Sequence, residues 1–248
     1  MPQGYAVIVG LTGVDPASYG GLTMTSGCSG AEADVDRIDR LVAPLGFLPL
    51  TLKTGRATAG AVQDHLRWAA RTTRFGDLFL FYFAGHGQRC PDRSGDEGDG
   101  FDELLLAYDR PLTDDELDES WREFPEGVRI LVVSDACHSG TNYKFPAAPS
   151  RIVLPPMKAS LVHLAACRDE ESAAAFRGGG AFTIALCRAL SAAFTGDYRD
   201  LLRAVAASVP SQTPRIELYG PGAEAFVRQR PFSIEAELPR PARRPKIF

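Results

Sequence analysis

Two residues in this chain have the types and the setting to cut an amide bond. His86 stands in Phe83-Ala-Gly-His-Gly-Gln88 and Cys137 in Ser134-Asp-Ala-Cys-His-Ser-Gly140. A thiol attacks an amide carbonyl as the thiolate, so it needs a lowered pKa or a neighbouring base. An imidazole can take the thiol proton and return it to the leaving amine. Glycines on both sides of His86 let the backbone approach a substrate closely. The N–H groups of Gly87 and Cys137 are candidates for an oxyanion hole. Taken singly, a histidine at a strand end and a free cysteine are ordinary structural residues. Each follows an apolar run, and together they point to one site. Asp135 lies two residues before the cysteine. A buried carboxylate there is costly unless a cation pairs with it, and a guanidinium or ammonium group is its natural partner.

The elements that must position these residues are legible as short apolar runs. Tyr5–Leu11, Phe47–Lys53, Asp77–Ala84, Val128–Ser134 and Ser160–Ala166 are near-continuous rather than alternating, the pattern of strands covered on both faces. Helices are expected between them. Asp34–Leu45 carries an apolar stripe ended by Gly46, and Thr58 caps a second helix running to about Arg71. Ala181–Phe194 and Asp197–Val209 read as two more. Strands alternating with helices predict an α/β fold with a mostly parallel sheet of about six strands flanked by helices. Gly85–Leu112 and Ser139–Lys158 are expected as loops. In an open parallel sheet, ligands bind beyond the carboxyl ends of the strands, so adjacent parallel strands would bring His86 and Cys137 to one edge.

Composition narrows the function classes. The net charge of −4 argues against a nucleic-acid partner. No apolar run approaches the length of a membrane span; the longest is Leu78–Ala84. The chain reaches Tyr5-Ala-Val-Ile-Val9 almost at once, which predicts no signal peptide. Five scattered cysteines form no disulfide framework, and a cytoplasmic location is expected. His65, His138 and His163 are expected to be structural. Reading His86, Asp135, Cys137 and His138 as a zinc set is disfavoured by the tight Cys–His spacing.

The two motifs resemble those of metacaspases and bacterial caspase-like peptidases. The 51 residues from His86 to Cys137 are similar to the caspase spacing of about 50. Gly95–Glu103, Leu112–Leu117, Ala165–Asp169, Gly180–Ala185 and Gln212–Pro214 resemble family segments in the same order. The likeness spans about Gly4 to Phe232. It implies a caspase-like three-layer sandwich, the caspase-hemoglobinase fold, as a single domain over residues 1–232 with a Pro/Arg-rich tail over 233–248.

The resemblance also implies roles. Asp135 matches an acidic pocket residue of metacaspases. Gly30-Ala-Glu-Ala-Asp34 is similar to the segment that supplies a second, so Asp34 and Asp135 would form an S1 pocket for Arg or Lys; helix capping is the alternative role for Asp34. Ala84 stands where many metacaspases have serine, which leaves the choice between Arg and Lys open. From Asp92 to Glu119 there are twelve Asp/Glu and two Arg. Such a run is a solvated loop or a cation site, and the family positions for calcium match Asp102, Asp114 and Asp115. A further acidic ligand is missing, with Asn142 and Lys144 in its neighbourhood. No cofactor is required otherwise. Related peptidases are processed after the nucleophile, and Lys144 and Arg151 are candidate cuts, by the enzyme itself or by an upstream activating protease. The partners implied are proteins with exposed Arg or Lys sites, in a death, stress or defence cascade. The alternatives are a silent caspase-homology scaffold or receptor and a metal-dependent hydrolase.

Overall fold

A computed structural model of the chain describes residues 1–23, 25, 28–91, 101–138, 155–166, 175–176, 178–190 and 194–236. For Arg89, Cys90, Pro91, Phe101, Asp102, Cys137, His138, Ala175 and Phe176 the description is of the backbone.

In chain order the elements are β1 (Gly4–Gly10), α1 (Ala31–Val42), β2 (Phe47–Lys53), α2 (Ala59–Thr72), β3 (Leu78–Pro91), β4 (Phe101–Leu106) and β5 (Pro111–Thr113). There follow α3 (Asp114–Arg122), β6 (Arg129–His138), β7 (Ser160–Ala165), β8 (Ala175–Phe176), β9 (Gly179–Gly180), α4 (Ala181–Ala189), α5 (Tyr198–Ser208), β10 (Arg215–Tyr219) and α6 (Ala223–Phe226). The main sheet runs in the order β10-β7-β6-β3-β1-β2. β2, β1, β3, β6 and β7 are parallel, and β10 pairs antiparallel with β7.

Burial on both faces explains the continuous apolar runs. On β3, Leu78, Leu80 and Tyr82 pack under α1, α4 and α5, while Phe79, Phe81 and Phe83 pack against α2 and Trp121 of α3. The pleat that sends successive side chains to opposite faces thus fills two apolar layers. The three-layer α/β sandwich expected from the sequence is the observed fold.

The differences concern where strands stop. The predicted strands ended at Ala84 and Ser134, with loops beyond. In the structure β3 and β6 stay paired out to Gly87↔His138, whereas β1 stops at Gly10↔Ala84 and β7 at Ser134↔Ala165. The β3–β6 pair therefore overhangs its neighbours as a two-stranded ribbon. Gly85–Leu112 is not one loop: β3 turns into an antiparallel ladder with β4, and β4 pairs with β5. The acidic run was expected to be irregular, but Asp114, Asp115 and Glu116 form the first turn of α3. Thr113 caps it in a box with Glu116, and acidic groups there suit the helix dipole.

The helices need smaller corrections. α1 begins at Ala31 with Gly30 at its N-cap, so Asp34 lies inside the first turn and does not cap it. Ala43–Leu45 forms a separate 3₁₀ turn, closed by Gly46 at φ 90°. Thr58 caps α2 as expected, its side chain accepting from Ala61 N–H. α4 ends at Ala189, short of Phe194.

Candidate active site

The overhanging ribbon places His86 and Cys137 side by side. They are direct partners in the parallel register of β3 and β6. His86 is half-buried. Alternation puts position 137 on the same face of β6 as Asp135 and Val133, the face covered by α1 and α4. Gly87 follows on β3, between His138 of β6 and Leu105 of β4. The strand register is what the fold contributes to the dyad.

The two aspartates read as a pocket converge on a third element, the turn that opens α4. Asp135 is 6% exposed. Its Oδ2 accepts from Thr183 N at 3.0 Å and Thr183 Oγ1 at 2.6 Å. Thr183 lies in the first turn of α4, whose N-cap Gly180 offers no side-chain cap. A carboxylate from β6 thus satisfies a helix donor that would otherwise be orphaned. Thr183 Oγ1 also meets Tyr82 Oη at 2.6 Å. Burial pushes the Asp135 carboxyl above the usual carboxylate range, and the Thr183 bonds oppose that rise. Asp135 Oδ1 takes no hydrogen bond among the described residues.

Asp34 reaches the same turn from α1. It is 1% exposed. Its Oδ2 accepts from Gly180 N at 2.6 Å, and Arg37 Nη1 lies 2.5 Å from Oδ1. Desolvation pushes the Asp34 carboxyl up to about 7. The Gly180 N–H and Arg37 lower it, and the negative charge of Asp135 raises it further.

Glycine is required at this turn. A Cβ on Gly179 would stand 2.2 Å from Asp34 Oδ1, and one on Gly180 1.9 Å from Asp135 Oδ2. Gly179 also has φ +128°, which L side chains rarely adopt. Sequence reasoning assigned no role to Arg37, Thr183 or Gly179. The signal was Gly178-Gly-Gly180 opening an apolar helix, but only packing reveals what it serves.

The other expected site residues fall elsewhere. Asp102 lies on β4 opposite Cys90. Asp114 Oδ2 accepts from Glu103 N at 3.1 Å and its Oδ1 from Asp115 N at 3.0 Å. Among the described residues no group of three or more His, Cys, Asp or Glu side chains could hold a metal ion. Lys144 and Arg151 lie outside the described residues, as do 237–248 of the expected tail. Among the described residues no helix is long and apolar enough to cross a membrane.

The opposite face of β6 carries a second polar array. Ser134 Oγ lies 2.8 Å from His163 Nε2, and His163 Nδ1 lies 3.2 Å from Glu217 Oε2. Tyr219 Oη donates to Glu217 Oε2 at 3.1 Å, and Arg215 Nε lies 3.2 Å from Oε1. These residues line a cavity of about 420 Å³ between α3 and β6, β7 and β10. His163 is thus a cross-strand tie, and His65 bonds the Ala61 carbonyl within α2.

Comparison with known proteins places this architecture. The family model for the caspase domain, Peptidase_C14, matches residues 3–238. Metacaspase-2 of Arabidopsis thaliana is 41% identical over 94 residues, 36% of this chain and 22% of that protein. Metacaspase-1 of Coccidioides immitis (strain RS) is 36% identical over 94 residues, 36% of this chain and 20% of that protein. The matched segment is thus about a fifth of each relative's length. Among solved structures, protein GSU0716 from Geobacter sulfurreducens superposes with a TM-score of 0.83 at 34% identity, covering 94% of this chain and 99% of that one. Caspase-1 from Spodoptera frugiperda shares the fold, with a TM-score of 0.61 at 16% identity over 87% of this chain and 86% of that one. With the caspase-domain match running nearly end to end, the chain belongs to the caspase-domain family of cysteine peptidases.

Proposed function

We propose that this domain is a cysteine endopeptidase that cleaves after Arg or Lys, with Cys137 as nucleophile and His86 as its base. The observation that carries the reading is one juxtaposition. His86 and Cys137 are register partners on the overhanging ribbon, and two buried carboxylates meet on the same face of β6.

In this mechanism His86 takes the proton of Cys137 Sγ, and the thiolate attacks the carbonyl carbon of the scissile bond. The N–H groups of Gly87 and Cys137 receive the developing oxyanion. His86 then protonates the leaving amine, and water hydrolyses the thioester. A basic side chain before the scissile bond enters beside Asp135 and Asp34. It brings the positive charge that two desolvated carboxylates lack. A bidentate guanidinium and a compact ammonium both satisfy this requirement.

The chemistry uses no cofactor. Calcium has a place only as a modulator at Asp102, Asp114 and Asp115. Both oxygens of Asp114 already accept backbone N–H groups, so the expected effect is small. Processing at Lys144 or Arg151 is the proposed activation step, by the enzyme itself or an upstream protease acting in a death, stress or defence cascade. A reducing, cytoplasmic setting suits a thiol nucleophile.

The test is hydrolysis of fluorogenic peptides ending in Arg, Lys or Asp, by wild type and Cys137→Ala, with and without a thiol alkylator and a chelator. Activity on Arg and Lys peptides that disappears with alkylation or Cys137→Ala, and survives chelation, supports the reading. Activity that survives Cys137→Ala ends it.

A further inference from the structure

Among the described residues Arg37 supplies the guanidinium that meets Asp34, and its position calls for an account. Ion pairs between exposed side chains at i,i+3 contribute little. This pair is asymmetric: the Asp34 side chain is 2% exposed and that of Arg37 30%. Its acidic end is therefore out of water while its basic end reaches the surface. Arg37 is also held at a second point, with Nη2 donating to Gly178 O at 2.9 Å. The fork thus spans Asp34 and the glycine turn that receives both carboxylates, and this double anchor keeps it from swinging across the pocket.

The charges around Asp34 are unevenly balanced. Asp135 faces it from β6, Tyr82 from β3 and Cys187 from α4. Among the described residues, Arg37 is the cation that bears on it. A carboxylate removed from water beside a second carboxylate takes up a proton unless something positive holds it ionised. A protonated Asp34 would still fill the turn but would offer a basic side chain one charge in place of two.

We propose that Arg37 is a positioning residue that favours the ionised form of Asp34 and aims it at the glycine turn, and so sets the lower pH limit for recognising a basic side chain. The inference rests on the reading of Asp34 and Asp135 as the pocket for that side chain. Arg37 needs no contact with substrate. It decides how much of the enzyme carries the doubly charged pocket at a given pH.

The experiment compares the pH dependence of kcat/KM on a fluorogenic Arg peptide for wild type, Arg37→Met and Arg37→Lys. For Arg37→Met the acidic limb should move to higher pH by about one unit. Near the midpoint KM should rise about tenfold while kcat at saturation changes less than about twofold. Arg37→Lys should restore most of the shift. Carbon-13 NMR of the Asp34 carboxyl should show its titration moving upward in Arg37→Met, a readout independent of turnover. Should Arg37→Met fail to fold, Arg37→Gln removes the same charge with less loss of polarity. Superimposable profiles and an unmoved Asp34 titration overturn the inference. If wild type prefers Arg and Asp34→Asn loses that preference, such a result removes the Arg37 role alone. If Asp34→Asn and Asp135→Asn leave Arg cleavage intact, the pocket reading itself fails and takes the Arg37 role with it.

Discussion

Ser134 and Asp135 are neighbours on β6, yet they belong to two polar arrays on opposite faces of the sheet, one around the half-buried Glu217 and one around the buried Asp34 and Asp135, whose charges are balanced in opposite ways. On the β7–β10 side, Glu217 has His163, Arg215 and Tyr219 around it and is pulled down to about 2, with the His163 bond the largest influence. On the α1–α4 side, Asp34 is pushed up to about 7 by desolvation, although it has Arg37 and the Gly180 N–H. The first array meets its own charge. Among the described residues the second holds two carboxylates against one cation, Arg37, and is left short of positive charge. The Ser134–His163–Glu217 connectivity is that of a hydrolase triad, but connectivity is not enough. Ser134 lies mid-sheet, paired with Phe83 on one side and Ala165 on the other, so its backbone is committed to the ladder. A serine nucleophile needs donors aimed at an oxyanion. The face with the unmet charge is the one beside Cys137.

The contrast can be broken most severely at the dyad. Cys137→Ala or His86→Ala should lower peptide hydrolysis by at least about a thousandfold, with the thermal midpoint little changed. Steady-state kinetics beside a melting curve reads both. A mutant retaining a tenth of wild-type turnover removes that residue from the dyad.

The next largest effect separates the two faces directly. Asp135→Asn should lower kcat/KM on Arg peptides by roughly a hundredfold, because a desolvated charge pair is lost. Glu217→Gln, on β10 in the array of the opposite face, should change kcat/KM by less than about threefold. Equal losses in the two variants would show that the arrays are not independent.

Stability against pH sharpens the contrast, because the signs are opposite. Asp34 has a raised folded-state pKa, so its favourable contribution is complete below about 4 and is lost as pH climbs through about 7. Asp34→Asn should therefore gain stability relative to wild type between those values, by a few kcal/mol at most. Glu217 has a lowered pKa, so its contribution is present above about 4.5 and is lost as pH falls toward about 2. His163→Phe should weaken the protein above that window and flatten its acid limb. Denaturant titrations across pH 2–8 measure both slopes. Matching slopes for the two variants would contradict the assignment.

The smallest effect is expected at α3. Adding calcium or EDTA should change the rate by less than about threefold, and Asp114→Ala with Asp115→Ala should abolish whatever response exists. A tenfold calcium activation would show that α3 contributes more to the site than its capping role.

Much of this was legible in the chain itself. The apolar runs of β1, β2, β3, β6 and β7 announced themselves because strands covered on both faces need no polar side. His86, Cys137 and Asp135 stood out by residue type within short glycine-containing motifs, and Asp34 through the family likeness. The hairpin of β4 and β5 was missed because Leu104-Leu-Leu106 is short and sits inside an acidic stretch read as a loop, although Thr113-Asp-Asp-Glu116 is a capping box in plain sight. Arg37, Gly179 and Thr183 could not be found by spacing. Their roles arise only when α4 packs onto β6 and α1, joining Thr183 to a residue 48 positions away and Gly180 to one 146 positions away. Local patterns carry the elements, whereas a shared carboxylate pocket is a property of their packing.

The most direct test of the account is a peptide library varied at the residue before the scissile bond, cleaved by wild type and by Asp34→Asn with Asp135→Asn. The account predicts cleavage after Arg and Lys and none after Asp for wild type, with that preference lost in the double variant. A wild-type preference for Asp or for apolar residues, or a basic preference that survives the double variant, would contradict it.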